Sequence, residues 1–368
     1  MADGITVSNR VDTTTERKLN AYVVDSVLNA VTYFSRLMSM GKEFSGKTMD
    51  WTVAITEDAQ FEWFVGLETL NSQASDNTIT LSYAHTAGTQ PNVDIMLESF
   101  ANAGEAGTIP LEAYKYKEAG ATASQKVSSA IYATGTANRP NGLQKIVDDG
   151  TNAASIGGQL RATYSALNGT YTSSGGTLTL AKLATLSDAI SASGSIEGSP
   201  NINDTTKTIW SYYEQLLHPS IIASYTEVGY KRLPVRGSEI VSPAELKGAA
   251  GFTALQHRGI PVIKDDDCTS QVWYMLNERT YGWFGRTIVP VKYRGMLEKV
   301  DLGEVVRGAE GYQSSALTDM PSQTNGWFYQ KDQLLPFQAG MVGRYFVIGQ
   351  VCTWEPRRNG QLYAITGV

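Results

Sequence analysis

The chain has 368 residues, 42% of them hydrophobic and 18% charged, with a formal net charge of −6. That composition suits two or three linked cores and argues against tight general nucleic-acid binding, which needs clustered Lys and Arg. Two cysteines, Cys268 and Cys352, make no disulfide framework and fit a reducing compartment, and no run of ~18–20 apolar residues is present to cross a membrane.

The opening MADGITVSNR lacks a basic region followed by an apolar one, so no signal peptide is expected. Thr13–Glu16 reads as a capping box. Leu19, Val23, Val27, Val31, Phe34 and Met38 then recur every three to four residues, which predicts an amphipathic helix over about 16–40. Next, Gly41–Thr48 (GKEFSGKT) matches the phosphate-loop pattern G-x-x-x-x-G-K-[ST]. Such a loop joins a strand to a helix whose amino end faces the phosphates. Here a helix precedes and a strand, Trp51–Thr56, follows. A Gly-flanked turn is the plainer reading, and a nucleotide-binding enzyme is the alternative.

Between Thr48 and Glu112 lie ten acidic residues and no Lys or Arg. Three runs read as strands: Thr52–Thr56, Asn77–Ala84 and Asn92–Glu98. In the second, Ile79, Leu81 and Tyr83 share one face. Two or three strands with one apolar face are marginal alone, so this excursion is expected to cover another chain. Between Tyr230 and Arg307 there are twelve Lys and Arg against nine acids. The excursion's tip, about Glu62–His85, is therefore expected to lie on a neighbour with some acids facing basic residues. The candidate inter-subunit contacts are Glu62, Glu68, Asp76, Ile79, Leu81 and Tyr83.

Pro110 suits a first helical position, and Leu111–Thr134 predicts one long, lightly apolar helix lying across a sheet. Gly135–Gly142 reads as a loop and a domain boundary. Further on, Ser155–Leu167, Leu180–Ala192, Tyr212–Leu217 and Pro243–Leu255 read as helical. Lys207–Ser211, Ile260–Lys264, Gln271–Leu276 and Ile288–Val291 read as strands. Arg344–Trp354 predicts a strand, and Asn359-Gly360 a hairpin turn before Leu362–Thr366.

Little points to catalysis. His85, His218 and His257 lack metal-ligand spacing, and His218 before Pro219 suits a helix end. There is no G-x-S-x-G elbow. Asp265-Asp266-Asp267 after an apolar run could hold a divalent cation, but a solvated loop is the plainer reading. Asn277–Thr280, between Trp273-Tyr274 and Trp283-Phe284, fits a buried aromatic strand pair better than a nucleic-acid platform. No catalytic, cofactor or metal residue is assigned, and no cofactor is expected.

Six stretches in order carry a resemblance. They are Gly142–Val147 (GLQKIV), Ile156–Leu167 with Gly157, Gly158, Arg161 and Tyr164, Tyr213–Pro219 (YEQLLHP), Gly251–Gln256 (GFTALQ), Gly259–Asp265 (GIPVIKD) and Tyr274–Thr280 (YMLNERT). Together they resemble the major capsid proteins of tailed bacteriophages, with the Hong Kong 97-type shell fold. That resemblance implies an α+β chain: an N-terminal arm (1–47), an extended β-hairpin loop lying over a neighbour (48–107), and a long spine helix of the peripheral domain (108–139). A mixed α/β axial domain (140–320), part of which can return to the peripheral domain, and C-terminal strands completing the peripheral sheet (321–368) follow. It implies self-assembly in hexamers and pentamers into an icosahedral or prolate head enclosing double-stranded DNA, with a portal and, in some relatives, a separate scaffolding or decoration protein. The protein would be made in the host cytoplasm and reside in the virion. An encapsulin-like nanocompartment shell is the close alternative. Only about 47 residues precede the loop, so no internal scaffold is expected. No Lys lies between Lys47 and Lys115, so covalent joining through a loop lysine is not expected either.

Overall fold

A computed structural model of the chain describes residues 23–24, 32–57, 61–70, 76–103, 111–135, 138–191, 198–217, 255–303, 312–313, 325–335 and 338–366. In chain order the first elements are β1 (Val23–Val24), α1 (Thr32–Ser39), β2 (Lys42–Glu43), β3 (Thr48–Ala54), β4 (Thr78–Ala84) and β5 (Thr86–Ile95). The helices α2 (Met96–Ala101), α3 (Leu111–Tyr132) and α4 (Leu143–Ile146) follow. Next come β6 (Ser155–Ile156), β7 (Gln159–Leu160), β8 (Thr170–Thr172), α5 (Leu180–Ser191), β9 (Ile202–Thr205) and α6 (Lys207–Leu216). The rest is β: β10 (Leu255–His257), β11 (Ile260–Lys264), β12 (Trp273–Leu276), β13 (Tyr281–Gly285), β14 (Leu297–Lys299), β15 (Tyr312–Gln313), β16 (Trp327–Leu334), β17 (Gly340–Thr353) and β18 (Gly360–Leu362).

Two large sheets organise these elements. In the first the order is β14-β16-β17-β13-β2, with β5 also paired to β17. Gly349 pairs with both Thr86 of β5 and Gly285 of β13, so those strands lie on opposite edges of β17. The long helix α3 packs on this sheet through small residues. Ala119, Gly120, Ala121, Ala123, Ser124 and Ser128 are buried, which lets the helix backbone approach closely. At its amino end Tyr116 meets Tyr329 and Tyr345 with ring centroids 4.7 and 5.2 Å apart. The Tyr345 hydroxyl donates to the Tyr116 carbonyl at 3.0 Å. The second sheet runs β10-β11-β9-β12-β18-β8. Its central strands β9 and β12 are buried at every residue, as a strand covered on both faces must be. Leu183, Leu186 and Ile190 of α5 join Ile209 and Tyr213 of α6 in its core.

Several sequence expectations need correction. The helix expected over 16–40 is seen at Thr32–Ser39, whereas Val23–Val24 is a strand parallel to β15; the capping box at Thr13–Glu16 lies outside the described residues. Ser155–Leu167 forms no α-helix, and only Ser165–Leu167 makes a 3-10 turn. Gly157 and Gly158, with φ of +54° and +79°, turn the chain between β6 and β7 instead. Lys207–Ser211 begins α6 rather than a strand, because Ile209 and Tyr213, four residues apart, share the buried face. Ile288–Val291 forms no strand. Of Pro243–Leu255 only Leu255 is described, and it starts β10. Asn359-Gly360 makes no hairpin. Asn359 is buried, accepts from the Asn277 amide at 2.8 Å and donates to the Thr280 hydroxyl at 2.9 Å. β18 then joins the second sheet between β12 and β8. Within 140–320, β13 and β14 belong to the first sheet, in keeping with the expectation that part of this span returns to it.

A buried arginine fastens the segment from α4 to Leu167. Arg161 is 1% exposed. Its guanidinium donates to the carbonyls of Lys145 and Asp148 at 2.6 Å, of Ile146 at 3.3 Å, and of Leu167. Removing it strands several buried acceptors, each costing ~1–3 kcal/mol. Arg161→Ala is therefore expected to lower unfolding free energy by about 3 kcal/mol or more. Urea unfolding followed by tryptophan fluorescence measures it, and an unchanged midpoint would refute the fastening role.

Candidate assembly surface

The hairpin β3–β4 starts from a simple pattern. Met49, Trp51 and Val53 alternate on one strand, and Tyr83, Leu81 and Ile79 stand directly opposite them. Cross-strand pairs of this kind weld the two strands into one apolar face. That face packs on the chain's own core. Leu81 is 0% and Tyr83 3% exposed, while Ile79, Trp51 and Val53 are half-buried against the same cluster. The Tyr83 hydroxyl donates to the Thr353 carbonyl at 2.7 Å. Trp51 stacks on Trp354 at 5.9 Å and meets Phe284 edge-on at 5.1 Å. From the other side the β6–β7 turn clamps the strand: the Ser82 amide donates to the Gly157 carbonyl at 2.9 Å. A Cβ on Gly157 would sit 2.8 Å from that of Leu81, so only glycine fits there.

Two parts of the sequence reading are thereby overturned. Leu81, Tyr83 and much of Ile79 face the chain's own core, so they are not offered to another subunit. Residues 48–107 are also not one projecting unit, because β5 pairs with β17 from Thr86 to Ile95.

What does project lies beyond the last hairpin rung, where the Ile55 amide meets the Asn77 carbonyl at 2.8 Å. Residues 61–70 are all exposed and form no strand. They carry six large apolar side chains: Phe61, Trp63, Phe64, Val65, Leu67 and Leu70, with Trp63 89% and Val65 86% exposed. An exposed apolar cluster of this size marks an interaction surface. Glu62 and Glu68 stand among these side chains, both exposed. Asp76 does something different: its carboxylate accepts the Thr78 amide at 3.4 Å and so shapes the entry to β4. The sequence reading placed this stretch at the tip through Glu62 and Glu68 but passed over its apolar side chains, because they follow neither a two-residue nor a 3.6-residue period. Their density, six in ten residues, was the signal available.

The other chemical candidates dissolve into structure. The phosphate-loop residues leave α1, pair Lys42–Glu43 in parallel with Phe284–Gly285, bury Phe44 and enter β3. No helix follows to present its amino end to a phosphate. Of the three aspartates, Asp266 pairs with Lys207 at 2.6 Å and Asp267 accepts from Gln125 at 2.6 Å. Asp265 is buried, not solvated as expected. It accepts the Tyr33 amide of α1 at 2.9 Å and the Asp267 amide at 2.9 Å. Among the described residues no three His, Cys, Asp or Glu converge as metal ligands. His257 lies against Tyr213 at 3.4 Å with burial lowering its pKa; His85 rests on Phe44, and His218 lies outside the described residues. Both cysteines are free and buried. Tyr274 and Trp283 sit inside buried strands, as expected, but β12 and β13 belong to different sheets and do not pair with each other.

No family model matches the sequence, and no curated protein does. Solved structures match over nearly the whole chain. The cyanophage A-1(L) capsid asymmetric unit is 15% identical with a TM-score of 0.68, covering 98% of this chain and 99% of that one. The capsid of the native GTA particle is 9% identical with a TM-score of 0.59, covering 98% of each chain. The holo-SrpI encapsulin complex from Synechococcus elongatus PCC 7942 is 9% identical with a TM-score of 0.54, covering 98% of this chain and 95% of that one. The chain shares the fold of these structures over nearly its whole length, the fold that its six ordered motifs imply.

Two measurements check this account. Leu81→Ala should cost ~2–5 kcal/mol of the subunit's own stability, the range for a fully buried leucine. Trp63→Ala should leave stability within about 0.5 kcal/mol, as for an exposed site. Equal losses by chemical denaturation would contradict the division into anchored base and free tip. The second concerns pH. Burial, with Asp266 and Asp267 nearby, pushes the Asp265 carboxyl up to about 6 from an ordinary 3.8. The folded chain thus keeps a proton that the unfolded chain releases, so stability falls as pH rises from about 4 to 6, by up to ~3 kcal/mol from this group. Asp265→Asn, which keeps an acceptor for the Tyr33 amide, should flatten that slope in urea midpoints taken across this range; an unaltered slope would reject the assignment.

Proposed function

We propose that this chain is a major capsid protein, many copies of which close into a head shell around bacteriophage double-stranded DNA. The observation that carries the reading is the fold agreement with a phage capsid structure over 98% of the chain. The exposed apolar tip supports it, because a surface of that kind needs a partner and a shell supplies one from the next copy. A net charge of −6 suits a wall that contains DNA without gripping it.

In this reading the partners are further copies in hexamers and pentamers, a portal at one vertex, and a separate scaffolding or decoration protein where the shell requires one. The protein is made in the host cytoplasm and ends in the virion. The work of the chain is structural, with no cofactor. An encapsulin-like compartment is the second reading, favoured by the likeness to the SrpI complex. The two differ in cargo: nucleic acid in one, a protein in the other.

The test is expression of the chain, with scaffold and portal present, followed by electron microscopy and nuclease protection. Uniform hollow particles that protect DNA after packaging are expected. A chain that stays monomeric at high concentration under these conditions overturns the shell reading, and particles holding only protein cargo replace it with the second.

A further inference from the structure

Where β13 leaves the first sheet there is a cavity of about 320 Å³, lined among others by Arg286, Thr287, Lys299, Asp301 and Trp327. Its volume is at the small end of ligand sites. Three segments form it: the exit of β13, the end of β14 and the start of β16. They meet backbone to backbone. The Val300 amide donates to the Trp327 carbonyl at 3.1 Å, and Lys299 stands opposite Phe328 in the ladder. A Cβ on Gly285 would overlap the Asn325 carbonyl, and one on Gly326 the Ile348 carbonyl. Glycine at both positions lets the segments close on each other and gives the cavity a firm wall.

The polar groups of this wall lack acceptors. Thr287 is 8% and Trp327 1% exposed. The Thr287 hydroxyl, the Trp327 indole N–H and the Arg286 Nε–H are buried, and none has a hydrogen-bond partner among the described residues. Buried polar groups are nearly always paired, so three orphans on the residues of one cavity need an explanation. An indole and a guanidinium can only donate, and a hydroxyl is able to. The set calls for an acceptor with several lone pairs. Charge narrows the choice. Arg286 and Lys299 line the cavity against one acid, Asp301, which is already engaged. Neither cation pairs with a carboxylate among the described residues. Arg286 instead lies over the Phe44 ring at 5.1 Å and donates to the Gly46 carbonyl. A neutral acceptor would leave its charge uncompensated, whereas an oxyanion answers both the donors and the charge.

We propose that this cavity binds a free phosphate-like oxyanion, held by Arg286, Thr287, Lys299 and Trp327. The site goes beyond the shell reading and does not depend on it. Arg286 and Lys299 supply the charge, and the covered hydroxyl and indole supply direction. Because Thr287 and Trp327 are buried, a free ion reaches them and the phosphodiester of a duplex, carried on a bulky backbone, does not. The bound ion ties the ends of β13, β14 and β16 together where the exposed turn 288–296 leaves the sheet.

The experiment is equilibrium dialysis of the full chain against radiolabelled inorganic phosphate in chloride buffer of fixed ionic strength. Saturable binding of one phosphate per chain is expected, displaced by sulfate and not by added chloride. Thr287→Val, which keeps the shape and removes the hydroxyl, should weaken binding at least about tenfold, as loss of a hydrogen bond to a charged group does. Thr287→Ser should bind like wild type. Lys299→Met should weaken binding as well, whereas Lys292→Met, on the exposed turn outside the cavity, should not. Lys299 is exposed, so its variant keeps the test decisive if circular dichroism shows that Thr287→Val fails to fold. Wild type that binds no phosphate, or only without saturation, overturns the proposal and leaves the donors to water. Unweakened binding by Thr287→Val or Lys299→Met overturns the assignment of the site. Displacement of the phosphate by a short DNA duplex overturns the assignment to a free ion.

Discussion

The rest of the structure depends on pairing both edges of β17. A strand of fourteen residues must satisfy a donor and an acceptor at every residue. β16 and β13 serve it on one edge and β5 on the other, over residues 341–347, 349–353 and 340–349. Drawing β5 onto that edge divides the acidic excursion: its second half becomes sheet, and only its first half is left to project. The end of β17 then fixes where the projection starts, because Tyr83 bonds to Thr353 and Trp51 stacks on Trp354. The direction of the tip is thus set by the sheet's last rungs and not by the loop itself.

The arm helix is tied to the same frame by polar contacts that burial strengthens. Arg36 grips Glu278 with two bonds, at 2.5 and 2.8 Å, and the Tyr33 hydroxyl meets that of Tyr281. Glu278 is nearly buried, so this pair differs from a surface ion pair, which would add little. Beneath it, Asp204 accepts from Tyr132 at 2.5 Å, and burial, followed by the nearby Asp265, raises its pKa well above the usual range. A neutral acid there avoids the cost of a lone buried charge. Arm, spine helix and second sheet therefore meet at groups whose bonds constrain position more tightly than apolar contact would.

Sequence periodicity revealed elements better than their partners. The alternation of Ile79, Leu81 and Tyr83 was legible, and it correctly marked one apolar face. What that face packs against was not legible, since Gly157 and Thr353 arrive from distant parts of the chain. The same limit explains Asn359-Gly360, whose local turn preference yields to buried bonds with Asn277 and Thr280. KTIWS at 207–211 has strand-like β-branched and aromatic residues, yet the sheet beneath it rewards a helix that buries Ile209 and Tyr213 together. The long helix α3 was legible because its Ala, Lys and Glu residues outweigh the weakening Gly120, and its buried side needs only small side chains.

The exposed tip is a liability for an isolated chain and an advantage for an assembling one. Its apolar side chains contribute nothing to the core, so in the proposed shell the subunit can fold before it associates. That separation matters for a closed shell, where a subunit that needed its neighbour in order to fold would assemble before its geometry was fixed. Each tip contact then adds only modest free energy, and acidic residues among the apolar ones limit indiscriminate sticking. In the proposed shell, repetition of one contact supplies the stability that a single contact lacks, because each copy would be held at several interfaces at once. In general, a weak contact lets a misplaced subunit leave before an assembly closes, which a strong apolar contact would prevent.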